Sequence, residues 1–349
     1  MNKIDILDCT IRDGSYVVDG NWTQEEVKNI TQGLSDNNIS YIEVGNGVGL
    51  GAQRCGVISK CTDKQFIQTA ASVKGNSKIG MFFIPGIGEL SDIKLLREEG
   101  GDFLRIGTDA TKSCLSFKYI EYAKSLGLEV SYNFMKSYVI SPYEICKRSV
   151  EIEKYGTDTI SLVDSAGGML PEEVGKYIKL MKETLITNVG FHGHNNLLLA
   201  NANNIAAIEN GADVVDTTLM GIGRGAGNAQ TESMIMILLK MGYHLKSDPL
   251  KISNISKSYI QKKVNSFKGS DELQLILGYA QFHDAYMSEI FEFSTRYRID
   301  YKSLILEVSK HEKEKPNRKL IKKVAIGISK GETIEIFYPK FYNREFKNE

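Results

Sequence analysis

The chain of 349 residues carries 43 basic and 43 acidic side chains, so no excess charge invites nucleic acid or an anionic membrane surface. Hydrophobic residues at 42% and charged residues at 25% are ordinary for a globular protein able to bury a large core. The start of the chain lacks the basic-then-apolar order of a signal peptide, and apolar runs such as Ile79–Pro85 are far too short to span a bilayer, so the expectation is a cytoplasmic protein.

Short β-rich runs recur at Ile4–Cys9, Tyr41–Gly45, Ile79–Pro85, Phe103–Gly107, Leu128–Met135, Thr159–Asp164, Val189–His194 and Val214–Leu219. Stretches of helical periodicity follow each of them: Thr23–Asn37, Asp63–Val73, Leu90–Glu99, Ser116–Leu126, Pro142–Tyr155, Pro171–Lys182, Leu197–Asn210 and Ala229–Lys240. Thr23 ahead of Gln24-Glu25-Glu26 reads as an N-cap with an acidic first turn, Pro142 and Pro171 sit where a missing N–H costs little, and Gly127, Gly156 and Gly211 stand where helices stop. Strict alternation over eight units predicts a (β/α)8 TIM barrel with right-handed parallel crossovers. An open doubly wound sheet would place polar residues after only a few strands, near its switch point, whereas here they follow nearly every strand.

The alternation stops near residue 250, so residues 1–245 read as the barrel and 246–349 as a C-terminal helical appendage. Ile252–Asn265 and Leu273–Phe293 read as helices, followed by the charge-rich Ser309–Lys323, and Ile334–Glu349 mixes aromatics with charges without a recognisable period. The five cysteines are odd in number and form no CxxC pair, which points to free thiols, with Cys9 packed in the core of the first strand.

His192-Gly193-His194 carries the most chemistry. Side chains at i and i+2 of a strand share a face, so both imidazoles aim one way at the end of the seventh strand, where barrel enzymes keep their active sites. Two imidazoles with a nearby carboxylate suit a divalent metal, although an isolated pair of this kind also fits structural histidines. Asp13, in Asp8-Cys9-Thr10-Ile11-Arg12-Asp13-Gly14, is the candidate carboxylate, because strand one lies only two strands away in a closed barrel. Asn228, after the eighth strand, can give an amide oxygen to a metal or orient a ligand. The glycines of Gly221–Asn228 close the eighth unit rather than open a first βαβ unit, which excludes a dinucleotide fingerprint.

These motifs, with Pro85-Gly86-Ile87-Gly88, Val163-Asp164-Ser165-Ala166-Gly167 and Gly190-Phe191-His192-Gly193-His194-Asn195-Asn196, resemble the DRE-type, HMGL-like superfamily of metal-dependent barrel lyases. Within it the likeness is to the 4-hydroxy-2-oxovalerate aldolases, in order over roughly residues 4–240 and continuing weakly through Leu277-Gly278-Tyr279-Ala280. The resemblance implies a class II aldolase, with Asp13, His192 and His194, and Asn228 beside them, holding Mn2+ or Mg2+. It also implies that Arg12 contacts the oxygens of a pyruvate-type oxo acid and that Ser165 binds its carboxylate, though Ser165 equally suits a turn cap. Arginine fits such a role because its charge is permanent and its donors fork onto paired oxygens. Small-molecule substrates are the implied partners, and a homo-oligomer and an aldehyde dehydrogenase subunit are candidate macromolecular ones.

Departures from the family pattern fall on the acceptor side. Tyr16 stands where the family has an acid/base histidine, and a phenol with an ordinary pKa of about 10 is a poor base at neutral pH. Asn46 and Val48 replace a histidine and an aspartate in the Gly45–Gly51 loop, and Lys136 replaces an apolar residue after strand five, where it either binds a polar acceptor or snorkels to solvent. Tyr279 or His283 is expected to reach the barrel mouth from the appendage. Arg105 and Asp164 are expected to pair with each other in a structural role. Two other functions compete: a Claisen-type acyl-CoA synthase, disfavoured by the short stretch after the barrel, and a non-catalytic oxo-acid-binding homologue, disfavoured by the complete ligand set.

Overall fold

The computed structural model describes residues 4–264 and 269–331. Eight parallel strands close a barrel in strict sequence order: β1 (Asp5–Asp8), β2 (Tyr41–Val44), β3 (Lys78–Phe83), β4 (Phe103–Asp109), β5 (Glu129–Met135), β6 (Thr159–Asp164), β7 (Asn188–Gly193) and β8 (Val214–Thr217). Closure comes from β1 pairing with β8, Leu7 opposite Asp216 and Asp8 opposite Thr217. Every strand matches its sequence expectation to within two residues.

The helix signals act as the sequence implies. Thr23 and Glu26 form a reciprocal capping box on helix Gln24–Asp36, and Pro142 and Pro171 each open a helix whose amide they could not have used. Gly127, Gly156 and Gly211 all take positive φ beyond helix ends. Strands such as β6 are buried along their whole length, because the helical ring covers one face and the barrel interior the other.

Two large apolar cores, and a small cluster of Leu7, Cys9, Phe103 and Val214, are found among the described residues. The larger fills the space between barrel and helices and takes in Ile252 and Ile260, so the first helix after the barrel, Pro249–Ile255, packs with the barrel. The smaller, built around Leu277, Phe282, Phe293, Leu304 and Ile321, belongs to the appendage.

The appendage differs from expectation in two places. Leu273–Phe293 is two helices, Glu272–Ala280 and Met287–Tyr297, because Gln281 adopts a left-handed φ of 49° and ends the first. The charge-rich Ser309–Lys323 spans the end of helix Tyr301–His311 and the start of helix Arg318–Ser329, whose apolar stripes supply Leu304, Ile305, Val308 and Ile321 to the small core. The segment Ile252–Asn265 is a helix followed by a wider π turn over Ser256–Ile260, and Asn265 and the tail Ile334–Glu349 lie outside the described residues. Among the described residues no helix is long and apolar enough to cross a membrane.

The appendage sits on the carboxyl ends of the strands. Asn196 donates to the Gln274 carbonyl at 3.1 Å, Ser270 donates to the Asn196 carbonyl at 2.6 Å, and a Cβ on Gly168 would fall 2.1 Å from the Gly278 carbonyl oxygen. The backbones approach that closely because position 168 is glycine, and a Cβ on Gly278 would in turn fall 2.9 Å from the Asn196 Cβ.

Candidate active site

A cavity of about 530 Å3 opens at the carboxyl ends of the strands. Arg12, Asp13, Tyr16, Lys136, Ser165, His192, His194 and His283 all line it, with an apolar wall of Phe82, Ile84, Met135 and Val163. Asp13, His192 and His194 are buried, and one ligand atom from each lies within 4.8 Å of the others. His192 and His194 stand two residues apart at the end of β7 with ring centroids 5.1 Å apart, as strand periodicity requires.

What holds each ring decides what it can do. His192 Nδ1 meets Asp216 Oδ2 at 2.8 Å, and His194 Nδ1 meets the Gly227 carbonyl at 3.2 Å. A carbonyl only accepts, so His194 carries its proton on Nδ1, and with the same arrangement at His192 both Nε2 lone pairs are left for a cation. Burial, together with the nearby Arg224, His192 and Arg12 charges, pulls the His194 pKa down to about 3 against the opposing effect of Asp13, so the ring is neutral at neutral pH. Burial alone would raise the Asp13 pKa. Arg12, the two histidines and the Asn228 amide outweigh it and hold the carboxylate ionised, below its ordinary range.

Asn228 points its amide nitrogen at Asp13 Oδ2, 2.5 Å away, and leaves its buried Oδ1 without a hydrogen-bond partner among the described residues. A divalent cation fits this set: one carboxylate, two neutral imidazoles oriented through their far nitrogens, and an orphaned amide oxygen beside them. A second cluster, Cys9, His192 and Asp216, fits less well. Burial pushes the Cys9 thiol well up, it donates to the Thr217 carbonyl at 3.4 Å, and Asp216 already serves Arg105 and His192.

Arg105 does not pair with Asp164. It donates from Nη1 to Glu43 at 3.1 Å, and from Nη2 to Asp216 at 2.5 Å and to Asn133 at 2.8 Å. Glu43 also accepts from Arg12 Nε at 2.8 Å, so an alternating chain runs Arg12–Glu43–Arg105–Asp216–His192 through the barrel interior. Asp164 turns the other way, accepting from the amides of Gly168 and Met169, and burial pushes its pKa up to about 6. The turn cap expected of Ser165 is therefore Asp164. Ser165 lines the cavity, and its Oγ accepts the Lys136 amide at 2.9 Å.

Lys136 does not snorkel. It is buried, with Nζ 3.2 Å from Asp109 and 2.7 Å from the Glu314 carbonyl, tying the end of β5 to the appendage. Tyr16, still 40% exposed, lines the cavity against Gly47, where any Cβ would strike its ring, and partial burial pushes the phenol above its ordinary value. Asn46 is buried next to Gly47 and Val48, which line the cavity, and its Oδ1 has no hydrogen-bond partner among the described residues. Tyr279 is likewise not part of the lining, since its helix ends at Ala280 and the chain reverses at Gln281. His283 reaches the cavity instead, together with Asp284 and Ala285.

Sequence reasoning missed Arg224. Its Nη1 meets His283 Nε2 at 2.6 Å, its Nη2 donates to the Ser165 carbonyl at 3.2 Å, and its backbone amide donates to Asp13 at 3.3 Å. The signal was available, because Arg224 is the lone charge in the glycine-rich Gly221–Asn228 loop. The loop's glycines serve close approach: a Cβ on Gly223 would fall 2.3 Å from Asp13 Oδ2 and 2.1 Å from the Asn228 amide nitrogen.

Comparison with known proteins bears on the fold and the family. The chain is 33% identical to the 4-hydroxy-2-oxovalerate aldolase of Carboxydothermus hydrogenoformans over 329 residues, covering 94% of this chain and 98% of that one. It is 33% identical to the protein of the same name from Pelotomaculum thermopropionicum over 309 residues, 88% and 91% of the two chains. The barrel superposes on the N-terminal domain of a Bacteroides vulgatus protein with a TM-score of 0.71 at 24% identity, covering 84% and 98%. It also superposes on the carboxyl transferase domain of Rhizobium etli pyruvate carboxylase with a TM-score of 0.77 at 14% identity, covering 95% and 61%. The HMGL-like family model matches residues 3–258. With that match over most of its length, and relatives this similar end to end, the chain belongs to the HMGL-like family.

Proposed function

We propose that this protein is a divalent-metal-dependent, class II aldolase that reversibly joins the enolate of a pyruvate-type 2-oxo acid to an aldehyde, as the names of its relatives indicate. The observation that carries the reading is the convergence of Asp13, His192 and His194 beside Arg12 in one cavity at the barrel mouth. In this reading residues 1–245 form the catalytic barrel and 246–349 a C-terminal region, of which the described helices from Glu272 to Ser329 roof the barrel.

Asp13, His192 and His194, with the Asn228 oxygen, would hold the cation; donors of this kind suit Mn2+, Mg2+ or Zn2+, and the family resemblance favours Mn2+ or Mg2+. When bound, such an ion polarises the oxo-acid carbonyl and stabilises the negative charge that builds on it. Arg12 lies against Asp13 and is held at its Nε by Glu43, which orients its guanidinium toward the oxo-acid oxygens. Ser165 offers its hydroxyl to the substrate carboxylate. Tyr16, which stays protonated, donates to the acceptor rather than taking a proton from it. Phe82, Ile84, Met135 and Val163 exclude water from the reacting carbons, which strengthens each of these polar contacts. Lys136 and Asp109 add a polar, charged patch to the wall and favour an aldehyde more hydrophilic than a simple alkanal.

The reading is tested by deuterium incorporation into the methyl group of pyruvate in D2O. Exchange is expected with Mn2+ or Mg2+ and is expected to stop on chelation with EDTA. Exchange that survives chelation would sink the metal role, and release of coenzyme A from an acyl-CoA mixed with a 2-oxo acid would replace the aldolase by a synthase. A second outcome concerns Asp216, which orients His192 through Nδ1. Asp216→Asn is expected to weaken Mn2+ binding about 10- to 100-fold, read by titration of the Mn2+ electron paramagnetic resonance signal. An unchanged affinity would detach Asp216 from the metal site.

A further inference from the structure

The cations Arg12, Arg105, Lys136 and Arg224 all line the cavity. Three of them meet a carboxylate at hydrogen-bond distance: Arg12 has Glu43 at 2.8 Å, Arg105 has Asp216 at 2.5 Å, and Lys136 has Asp109 at 3.2 Å. Arg224 differs. Among the described residues the carboxylate closest to its guanidinium, that of Asp284, stands 3.7 Å away. Its two side-chain hydrogen bonds go to uncharged groups, Nη1 to His283 Nε2 at 2.6 Å and Nη2 to the Ser165 carbonyl at 3.2 Å. Burial and the neighbouring Arg224 and Lys136 charges keep the His283 ring neutral, so it offsets none of this charge. A guanidinium has five N–H donors and keeps its proton at any working pH. Nε and one N–H on each terminal nitrogen therefore make no hydrogen bond among the described residues.

The glycine-rich loop fixes where this group stands. Asp13 accepts the Arg224 backbone amide at 3.3 Å, and the side chain spans from the loop after β8 to the end of β6 and to the appendage at His283. A guanidinium pinned through both terminal nitrogens is ordered before a ligand arrives, which lowers the entropic cost of binding. The oxo-acid carboxylate does not call for it, since the cation, Arg12 and the Ser165 hydroxyl serve that group in the reading above. Space is also left over. A cavity of about 530 Å3 lies in the range of about 300–1,000 Å3 that suits drug-sized ligands, more than a three-carbon acid and a two-carbon aldehyde fill.

We propose, resting on the aldolase reading above, that the acceptor is an aldehyde bearing an anionic group, a carboxylate or a phosphate, and that Arg224 is the specificity-determining residue that binds it. The planar fork of a guanidinium offers paired N–H groups to paired oxygens, which both anions present. The anion takes no part in bond making. It anchors the far end of the aldehyde, so that the carbonyl is held in place for the enolate. Asp284 sets a limit on this affinity: standing 3.7 Å from the same guanidinium, it repels the incoming anion and competes for Arg224 without occupying its donors.

The test reads a ratio. With Mn2+ and pyruvate, condensation is compared within two pairs of aldehydes that differ in charge: succinate semialdehyde against butanal, and D-glyceraldehyde 3-phosphate against D-glyceraldehyde. At least one anionic aldehyde should exceed its neutral partner about tenfold or more in kcat/KM, as a charge-assisted contact implies, and the pair that shows it tells carboxylate from phosphate. Arg224→Gln should bring that ratio within about threefold of one, Arg224→Lys should keep part of it, and Asp284→Asn should raise it. A wild type without preference for either anion, or a ratio indifferent to Arg224, overturns the proposal. So does a pyruvate KM in methyl exchange that rises about tenfold in Arg224→Gln while the ratio stays, since Arg224 would then belong to the oxo acid. Should the wild type fail to exchange pyruvate protons, the aldolase reading falls and the anion site is judged by binding alone. Glycerol 3-phosphate and 4-hydroxybutyrate, the reduced forms of the two anionic aldehydes, are then titrated calorimetrically. Binding of either that weakens about tenfold or more in Arg224→Gln upholds the site, and binding of neither, or binding indifferent to Arg224, removes it.

Discussion

Replacing His192 with alanine is expected to lower pyruvate exchange and aldol cleavage about 1,000-fold, since loss of several kcal/mol of charge stabilisation costs a factor of ten for each 1.4 kcal/mol. The fold should survive. Asp216, which loses its imidazole partner, keeps Arg105 at 2.5 Å, so no carboxylate is left buried without a cation. The far-ultraviolet spectrum and the thermal midpoint should therefore remain near those of the wild type while Mn2+ no longer binds. Activity retained within about tenfold would mean that Asp13 and His194 suffice, and the role given to His192 would be lost.

Glu43→Ala is expected to have the larger effect on stability. Glu43 is fully buried and one of its oxygens accepts from both Arg12 and Arg105. Burial alone would weaken the hold of these guanidiniums on their protons. Glu43 contributes the largest opposing effect at Arg12 and the second largest, after Asp216, at Arg105, and both stay charged. Removing the carboxylate takes one of two acidic partners from each of two buried cations, and breaking buried pairs in this way costs about 3–5 kcal/mol. Denaturation by urea should show a midpoint shift of that size. Glu43→Gln, which keeps an acceptor oxygen but not the charge, should fall between. A midpoint unmoved in Glu43→Ala would mean that Asp13, Asp216 and Asn133 alone satisfy the two arginines.

The barrel was legible because two signals repeat without interruption: apolar runs of strand length, and helices whose first and last residues carry their own caps. The convergence of His192 and His194 on one cavity was legible for a geometric reason, since i and i+2 on one strand must point together. The charge network was not, because its members come from five separate segments and pairing across a barrel leaves no trace in local periodicity. Each member did carry a mark. Glu43 and Asp216 are the single charges of their strands and Arg105 stands among apolar residues in the middle of β4, where a charge is tolerated only if another element answers it. Asp164, equally buried, was answered by backbone amides instead, and sequence offers no way to tell the two answers apart. Tyr279 and His283 turned on one backbone angle: a helix continued through Gln281 would have kept both on a helical face, whereas of the two the left-handed turn gives the cavity His283 alone.

That turn has a consequence for how such a protein can be altered. The groups that would activate the oxo acid are encoded at strand ends fixed by barrel closure, while one part of the cavity wall, His283 to Ala285, hangs from a short connection between two appendage helices. That part of the wall can therefore change without disturbing the strand ends. An engineer seeking a new aldehyde scope has a compact target in the span from Gln281 to Tyr286, and a library confined there leaves every ligand to the cation untouched.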